Sequence, residues 1–225
     1  MLSGPEGRHA ATVRRLRPGE HVELTDGAGL VAACSVSSVA GNEVTLEVLQ
    51  RREVPSASPS LTVVQALPKG ERGELAVETM TEAGVDAIVP WAADRCVVQW
   101  RGDKAVRGVE RWRSTAREAA KQARRAWLPE VTELASGADV AARVAAADRA
   151  IVLEADAGAA LSSLPLPDAG EIVLVVGPEG GLTPRERSAL VAAGAIECRL
   201  GPSVLRTSTA GVAAAAVVFA RSGRW

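Results

Sequence analysis

The chain has no tyrosine and a single phenylalanine, so aromatic residues make up only 3% of its 225 residues. RNA readout by rows of stacking rings on a sheet surface therefore has almost nothing to build on. Lysine is nearly as scarce. Of 26 basic residues only Lys69, Lys104 and Lys121 are lysines, a bias that, with the abundant alanine, is what a G+C-rich genome gives. The three cysteines, Cys34, Cys96 and Cys198, are odd in number and far apart, which excludes a disulfide framework and a CxxC metal site. Each sits in an apolar, strand-like run and reads as a small core residue. No stretch approaches the roughly 20 apolar residues of a membrane span, and residues 1–8 lack the apolar core of a signal peptide. The expectation is a cytoplasmic chain with no membrane partner. With 47% hydrophobic and 24% charged residues, disorder and a collagen-like fold are excluded.

The net charge of −1 looks uninformative until it is resolved by segment. Residues 104–125 hold eight basic residues (Lys104, Arg107, Arg111, Arg113, Arg117, Lys121, Arg124, Arg125) against Glu110 and Glu118, a net of +6. Residues 130–180 hold nine acids against Arg143 and Arg149, a net of −7. A second basic cluster, Arg8, Arg14, Arg15 and Arg17, lies near the N-terminus. Such patches suit a sugar-phosphate backbone. A solvated helix face paired with acids elsewhere explains them equally well.

Residues 20–54 alternate as half-buried strands do, over 21–25, 30–39 and 43–49. The breaks between them, Asp26-Gly-Ala-Gly29 and Gly41-Asn42, are hairpin turn chemistry. This predicts a small antiparallel β module, followed by a linker over 55–59. Beyond residue 60, apolar strands (61–67, 85–89, 149–153, 171–176, 195–200) alternate with helical segments (71–83, 104–127, 139–147, 184–193, 207–221), the signature of a parallel sheet with helical crossovers. Periodicity alone makes residues 61–225 a doubly wound sheet. In the second helix, Val106, Val109, Ala116, Ala119, Ala120, Ala123 and Trp127 are expected near one face.

Two loops stand out, each at the C-terminal end of an apolar strand, where open α/β sheets bind ligands. The first is Gly177-Pro178-Glu179-Gly180-Gly181-Leu182, followed by Thr183-Pro184-Arg185-Glu186, which reads as a capping box with proline in the first turn. Its glycines let a ligand approach the backbone, yet it matches neither GxGxxG nor a P-loop. A plain strand-to-helix turn would explain Gly177 and Pro178 but not Glu179 amid glycines. The second loop, Leu200-Gly201-Pro202-Ser203-Val204-Leu205-Arg206, leads into a helix capped by Thr207 or Thr209 and too apolar on all sides to be exposed. Arg206 at its mouth is either a clamp for carbonyls or a charge placed for a phosphate or oxyanion.

The pair GPEGGLTPRE and LGPSVLRTSTA resembles the hallmark of the SPOUT-class RNA methyltransferases, and within them the RsmE family, which methylates uridine N3 in small-subunit (16S) ribosomal RNA. Further matches are residues 9–20, Asp26-Gly27, Lys69-Gly70, residues 81–84, Arg95, residues 118–122, Arg125, Pro129 and Glu130, so the resemblance spans nearly the whole chain. It departs at the start, where family members usually have one more strand before the segment matching residues 3–8. The resemblance implies an α/β protein with an N-terminal PUA-like small β-barrel that binds RNA (1–56) and a C-terminal SPOUT domain with a deep trefoil knot (61–225), working as a homodimer.

The resemblance further implies that S-adenosylmethionine is held by three loops: Leu153 and Glu154; Gly177, Pro178, Gly180 and Gly181; Leu200, Gly201, Leu205 and Thr207. Arg206 is the candidate for stabilising an anionic uracil, and Glu179 is either the base or a backbone brace. RNA contacts are expected from Arg8, Arg14, Arg15, Arg17, Lys69, Arg95, Lys121, Gln122 and Arg125, with Arg95 and Gln122 equally able to brace the domain. His9 reads as a surface or packing residue, and the five tryptophans as core or interface filling. Two other readings remain open: a SPOUT enzyme acting on a ribose 2′-oxygen, and a non-catalytic RNA-binding or ribosome-assembly protein.

Overall fold

A computed structural model describes every residue except Glu71. The chain divides into two compact units, Met1–Ser56 and Ala57–Trp225.

The first unit is a meander of β1 (His21–Thr25), β2 (Leu30–Ala40) and β3 (Glu43–Glu53), antiparallel throughout. The turn between β1 and β2 is built by Asp26, whose Oδ1 accepts from the N–H groups of Ala28 at 2.7 Å and Leu30 at 3.1 Å. The hairpin between β2 and β3 turns at Gly41, with φ of 59°. Sequence alternation ended β3 at Leu49; pairing continues to Glu53 opposite Leu30. The alternation fails there because every residue of β3 from Glu47 onward is exposed. Two short helices come before the sheet, α1 (Gly4–Arg8) and a π-helix (His9–Val13), neither of which hydrophobic periodicity signals. They pack through Ala10 onto Val36 and Val44, and Leu2 bridges to Val44. α1 sits so close to the Gly41-Asn42 turn that a Cβ at Gly7 would lie 2.4 Å from the Asn42 carbonyl oxygen.

In the second unit β4 (Ser60–Ala66), β5 (Ala87–Trp91), β6 (Glu130–Val131), β7 (Arg149–Leu153), β8 (Ala159–Ala160), β9 (Glu171–Val176) and β10 (Ile196–Arg199) form one parallel sheet in the order β6-β5-β4-β9-β7-β10-β8. A doubly wound sheet would pair β7 directly with β4. Here the chain lays down β4 and then β7 with a gap between them, and β9 fills it, bonding to β4 on one side and β7 on the other. That exchange overturns the doubly wound expectation.

The crossovers are α2 (Arg72–Ala83), α3 (Asp103–Gln122), α4 (Gly137–Ala146), α5 (Pro184–Ala192) and α6 (Thr207–Arg221); α2 packs against α3 and α6, and α4 against α5. The expected start of α2 at Glu71 falls on the one residue outside the description. β4 and β9 are apolar because they are buried on both faces, and they form the centre of the core with Met80, Trp91, Trp112 and Phe219. All three cysteines are free and buried.

Three details differ from expectation. α3 ends at Gln122, so Ala123, its exposed C-cap, and Trp127 lie beyond the helix that was expected to carry them. Val106 lies in the first turn of α3 and is 61% exposed, while Trp112 is buried on the inner face. Thr207 does not cap α6. It is itself the first helical residue and is buried; Arg206 is the N-cap in extended conformation and makes no side-chain cap bond.

Candidate active site

Three strand ends converge. The residues following β7, β9 and β10 line one cavity of about 290 Å³, near the lower limit of ordinary small-molecule sites. Its walls include Leu153 and Glu154 from the first segment, Gly177, Pro178, Glu179 and Gly181 from the second, and Leu200, Gly201, Leu205, Arg206 and Thr207 from the third. The structure thus brings together all the expected cofactor-loop residues except Gly180, which is not in the lining. Ser203 and Val204 also line it and fall inside the expected loop over 200–206, whereas sequence reasoning missed Ala155, Val176 and Ala210, small or apolar wall residues that carry no chemical signature.

The glycine loop owes its shape to its neighbours. Thr183 and Glu186 form the expected capping box at the start of α5, with Pro184 in its first turn. Glu186 also accepts the Asp94 N–H at 2.8 Å, tying the loop after β5 to the cavity wall. Arg95 reaches across from that loop, its Nη1 donating to the carbonyls of Gly180 at 3.0 Å and Leu182 at 3.3 Å. Gly180 faces Arg95 instead of the cavity, with a hypothetical Cβ 3.2 Å from Arg95 Cβ. Gly181 takes a φ of 68°, and a Cβ at Gly201 would meet nothing within 4 Å. Neither carries a side chain that would block a ligand's approach to the backbone there.

Glu179 is exposed, and its Oε1 accepts the Lys69 N–H at 3.1 Å, so it fastens the turn after β4 to the glycine loop. Its second oxygen bonds to none of the described residues. From beneath, the buried Gln65 on β4 donates through Nε2 to the carbonyls of Ala66 at 3.0 Å and Thr207 at 3.2 Å, fixing the start of α6. Arg206, at the cavity lip, is exposed, and its guanidinium has no ion pair among the described residues.

The Glu154 carboxyl is pushed above the ordinary glutamate range, mainly by burial and also by repulsion from Asp156 and Glu197, while Arg187 pulls it back. Burial likewise raises the thiols of Cys96 and Cys198, which keeps them protonated and unreactive. Among the described residues no cluster of His, Cys, Asp and Glu could hold a metal ion.

The residues expected to touch RNA divide. Arg8, Arg14, Arg15 and Arg17 of the first unit are exposed, as are Lys69, Lys121 and Gln122 of the second. Arg95 spends its guanidinium on the glycine loop. Arg125 turns inward to the carbonyls of Thr81 at 3.0 Å and Val85 at 2.7 Å, beside Asp86, and burial lowers its pKa. It is a brace inside the domain, because its side chain ends under α2 and not on the surface of α3. Much of the remaining α3 charge is already matched: Arg113 by Glu110 and Glu133, Arg111 by Glu74, Lys121 by Glu118. Lys104, Arg107, Arg117 and Arg124 keep the positive surface.

Residues 55–219 match the family model of the RNA methyltransferase domain, and residues 2–49 that of the RNA methyltransferase PUA domain. The chain is 47% identical over its full length to Ribosomal RNA small subunit methyltransferase E of Mycobacterium bovis, covering 87% of that protein. It is 33% identical to the Bacillus subtilis protein of the same name, with 93% of this chain and 85% of that one aligned. Among solved structures, the Neisseria gonorrhoeae enzyme of that name bound to S-adenosyl methionine superposes with a TM-score of 0.83 at 28% identity, covering 95% of this chain and 88% of that one. A Legionella pneumophila methyltransferase in complex with the same cofactor gives 0.84 at 29% identity, covering 98% and 90%. The α/β architecture with a PUA domain expected from the resemblance is the one observed, and the chain belongs to the RsmE family of SPOUT-class RNA methyltransferases.

Proposed function

We propose that this chain methylates a uridine of small-subunit ribosomal RNA at N3, using S-adenosylmethionine bound in the cavity at the ends of β7, β9 and β10. The observation that carries the reading is the convergence of three strand-end loops on one cavity with a free guanidinium, Arg206, at its lip. The cavity fits the cofactor in kind: unobstructed approach at Gly181 and Gly201, apolar walls at Leu153, Val176 and Leu205, and Glu154 as an acceptor for hydroxyls.

The cofactor supplies an electrophilic methyl group; the chain has to prepare the base. Uridine N3 carries a proton, and a neutral imide is a poor nucleophile. Glu179, with one carboxylate oxygen uncommitted, takes that proton. Arg206 stabilises the negative charge left on the uracil oxygens. The new N3–carbon bond forms as the carbon–sulfur bond breaks, leaving a neutral thioether and protonated Glu179. Because N3 is the pairing edge of uracil, the target nucleotide must be unpaired or flipped.

The PUA unit, residues 1–56, holds flanking RNA through Arg8, Arg14, Arg15 and Arg17; in the methyltransferase unit, residues 61–225, Lys69, Lys121 and Gln122 are RNA contacts of their own. The catalytic unit works as a homodimer. α6 leaves a half-exposed apolar stripe, Val212, Ala213, Ala216 and Val217, and the cavity loop exposes Val204 at 82% and Leu205 at 41%, surface that a second copy would cover. No helix among the described residues is long and apolar enough to cross a membrane. A ribosomal RNA substrate implies work in the cytoplasm.

Incubation with labelled S-adenosylmethionine and small subunits from a strain lacking the enzyme, followed by nucleoside mapping, tests the reading. The expected product is 3-methyluridine; a methylated ribose, or no product, overturns it. Arg206→Ala should lower turnover by about 100-fold, the order of one lost oxyanion donor, and leave cofactor affinity unchanged. Glu179→Gln retains an acceptor for the Lys69 N–H but cannot take a proton, so full activity in that variant would return Glu179 to a bracing role.

A further inference from the structure

Beside the cavity wall lies a charged cluster centred on Arg187, a residue to which the proposed function gives no part. Arg187 projects from α5, one residue past the capping glutamate. Its Nε and Nη2 grip both carboxylate oxygens of Glu197 on β10, the Nη2 bond measuring 3.0 Å. Its Nη1 lies 3.2 Å from Asp156 Oδ1 and 4.0 Å from Glu154 Oε2, both in the segment following β7. The arginine is one-third exposed, but the Glu154 side chain is only 17% exposed and lines the cavity. One guanidinium therefore touches the flank of every cavity loop: the segment after β7 directly, the glycine loop through α5, and the third loop through β10, which leads into it. A bidentate arginine–carboxylate pair fixes orientation as well as distance, unlike a point charge.

We infer that Arg187 is a positioning residue for the cofactor site, locking the three loops in register and holding the Glu154 carboxylate ionised and turned to the cavity, where it accepts hydroxyl donors of the cofactor. The inference rests on the proposed function, since it presumes that this cavity holds S-adenosylmethionine. Charge arithmetic supports it. Three carboxylates share one arginine, so the cluster carries an excess of negative charge that burial penalises most at Glu154, and only Arg187 offsets it. The charged groups facing Glu154 are Arg187 from α5, Asp156 from its own segment and Glu197 from β10. Neutralising Arg187 would leave Glu154 protonated at a higher pH and free the segment after β7 to move.

Calorimetric titration of the full chain with S-adenosylmethionine between about pH 5 and 8 separates the possibilities. The wild type should bind, losing affinity on the acid side as Glu154 takes up a proton; failure to bind at any pH overturns the proposed function itself. Arg187→Gln should bind about 10-fold more weakly at neutral pH, the order expected for displaced contacts, with its acid loss moved to higher pH. Glu154→Gln should bind weakly and show no acid loss. Arg187→Lys keeps the charge but not the fork. It should weaken binding less than glutamine does, with the acid limb unmoved, and it serves as the test if Arg187→Gln does not fold. Wild-type affinity in Arg187→Gln, or in Arg187→Lys where glutamine fails to fold, overturns the inference, as does an acid limb that stays in place in a folded glutamine variant. Melting curves of each variant distinguish lost affinity from lost folding.

Discussion

Arginine does three different jobs in this chain, and sequence position does not tell them apart. Arg125 lies in the most basic segment but ends on the carbonyls of Thr81 and Val85; Arg224 clamps Asp86, Gly84 and Pro59 while its guanidinium sits 4.2 Å from the Phe219 ring centre. Arg14 and Arg15, by contrast, make no bonds through their side chains among the described residues. Arg125→Ala should therefore destabilise the protein by about 1–3 kcal/mol, the cost of orphaned buried carbonyls, and leave RNA affinity unchanged in a filter-binding assay. Arg14→Ala should do the reverse. The two loop signatures were legible because glycine, proline and an isolated charge at strand ends are local features. The inward turn of Arg125 was not, since it depends on carbonyls some 40 positions away in sequence. At Glu154 the sign of a pH effect follows from its environment. Its carboxyl is harder to ionise in the folded chain than in the unfolded one, so the native state binds more protons and stability falls as pH rises through that range. Glu154→Gln should raise the melting temperature at neutral pH and leave it nearly unchanged at acid pH.

At the scale of elements, what could be read was whatever carries its own periodicity or caps. β1, β7, β9 and α6 have the bounds that alternation, apolar runs or helical spacing gave them. α5 was announced by Thr183, Pro184 and Glu186. Replacing Thr183 with alanine removes the half of that box made by its hydroxyl and leaves the backbone N–H bond to Glu186; it should cost about 1 kcal/mol, a fall of roughly 2–4 °C in melting temperature for a chain of this size. α1 and the π-helix escaped notice because five-residue helices with one buried position each have no periodicity to show. Their docking depends on a missing side chain. Gly7→Ala would drive a methyl group into two backbone carbonyls, those of Asn42 and Leu2, neither of which can swing aside. The expected cost is about 1–3 kcal/mol, seen in the melting of the whole chain and as faster amide exchange confined to residues 1–16.

For the whole molecule, near neutrality conceals a division of labour between a positive surface and a negatively charged cavity region. RNA affinity should fall steeply with salt while cofactor affinity changes little, because only the former releases counterions. Removing Arg14, Arg15 or Arg17 should each lower the salt slope of RNA binding by about one unit, whatever the RNA sequence. If the slope is unchanged in all three variants, the first unit does not carry the RNA. Sedimentation at micromolar concentration tests the dimer: Val204→Asp should yield monomers, and a wild type that sediments as a monomer removes that part of the proposal. Aromatic scarcity fits such a design, since Trp91 and Trp112 are buried in the core and Trp100 packs edge-on against Trp112.

The placement of β9 between β4 and β7 also bears on how the chain is made. Both neighbours leave the ribosome before the strand that joins them, so a nascent chain short of residue 171 exposes two apolar strand edges at what will become the centre of the sheet. Long-range pairing of this kind is slow, and here it waits for a strand made after both of its partners. The cavity loops flank β9 and the strands it joins, so no partial form of the site precedes the finished sheet. Cofactor binding is then a reporter of completed folding, and in the cell S-adenosylmethionine selects the molecules whose central strand has gone in.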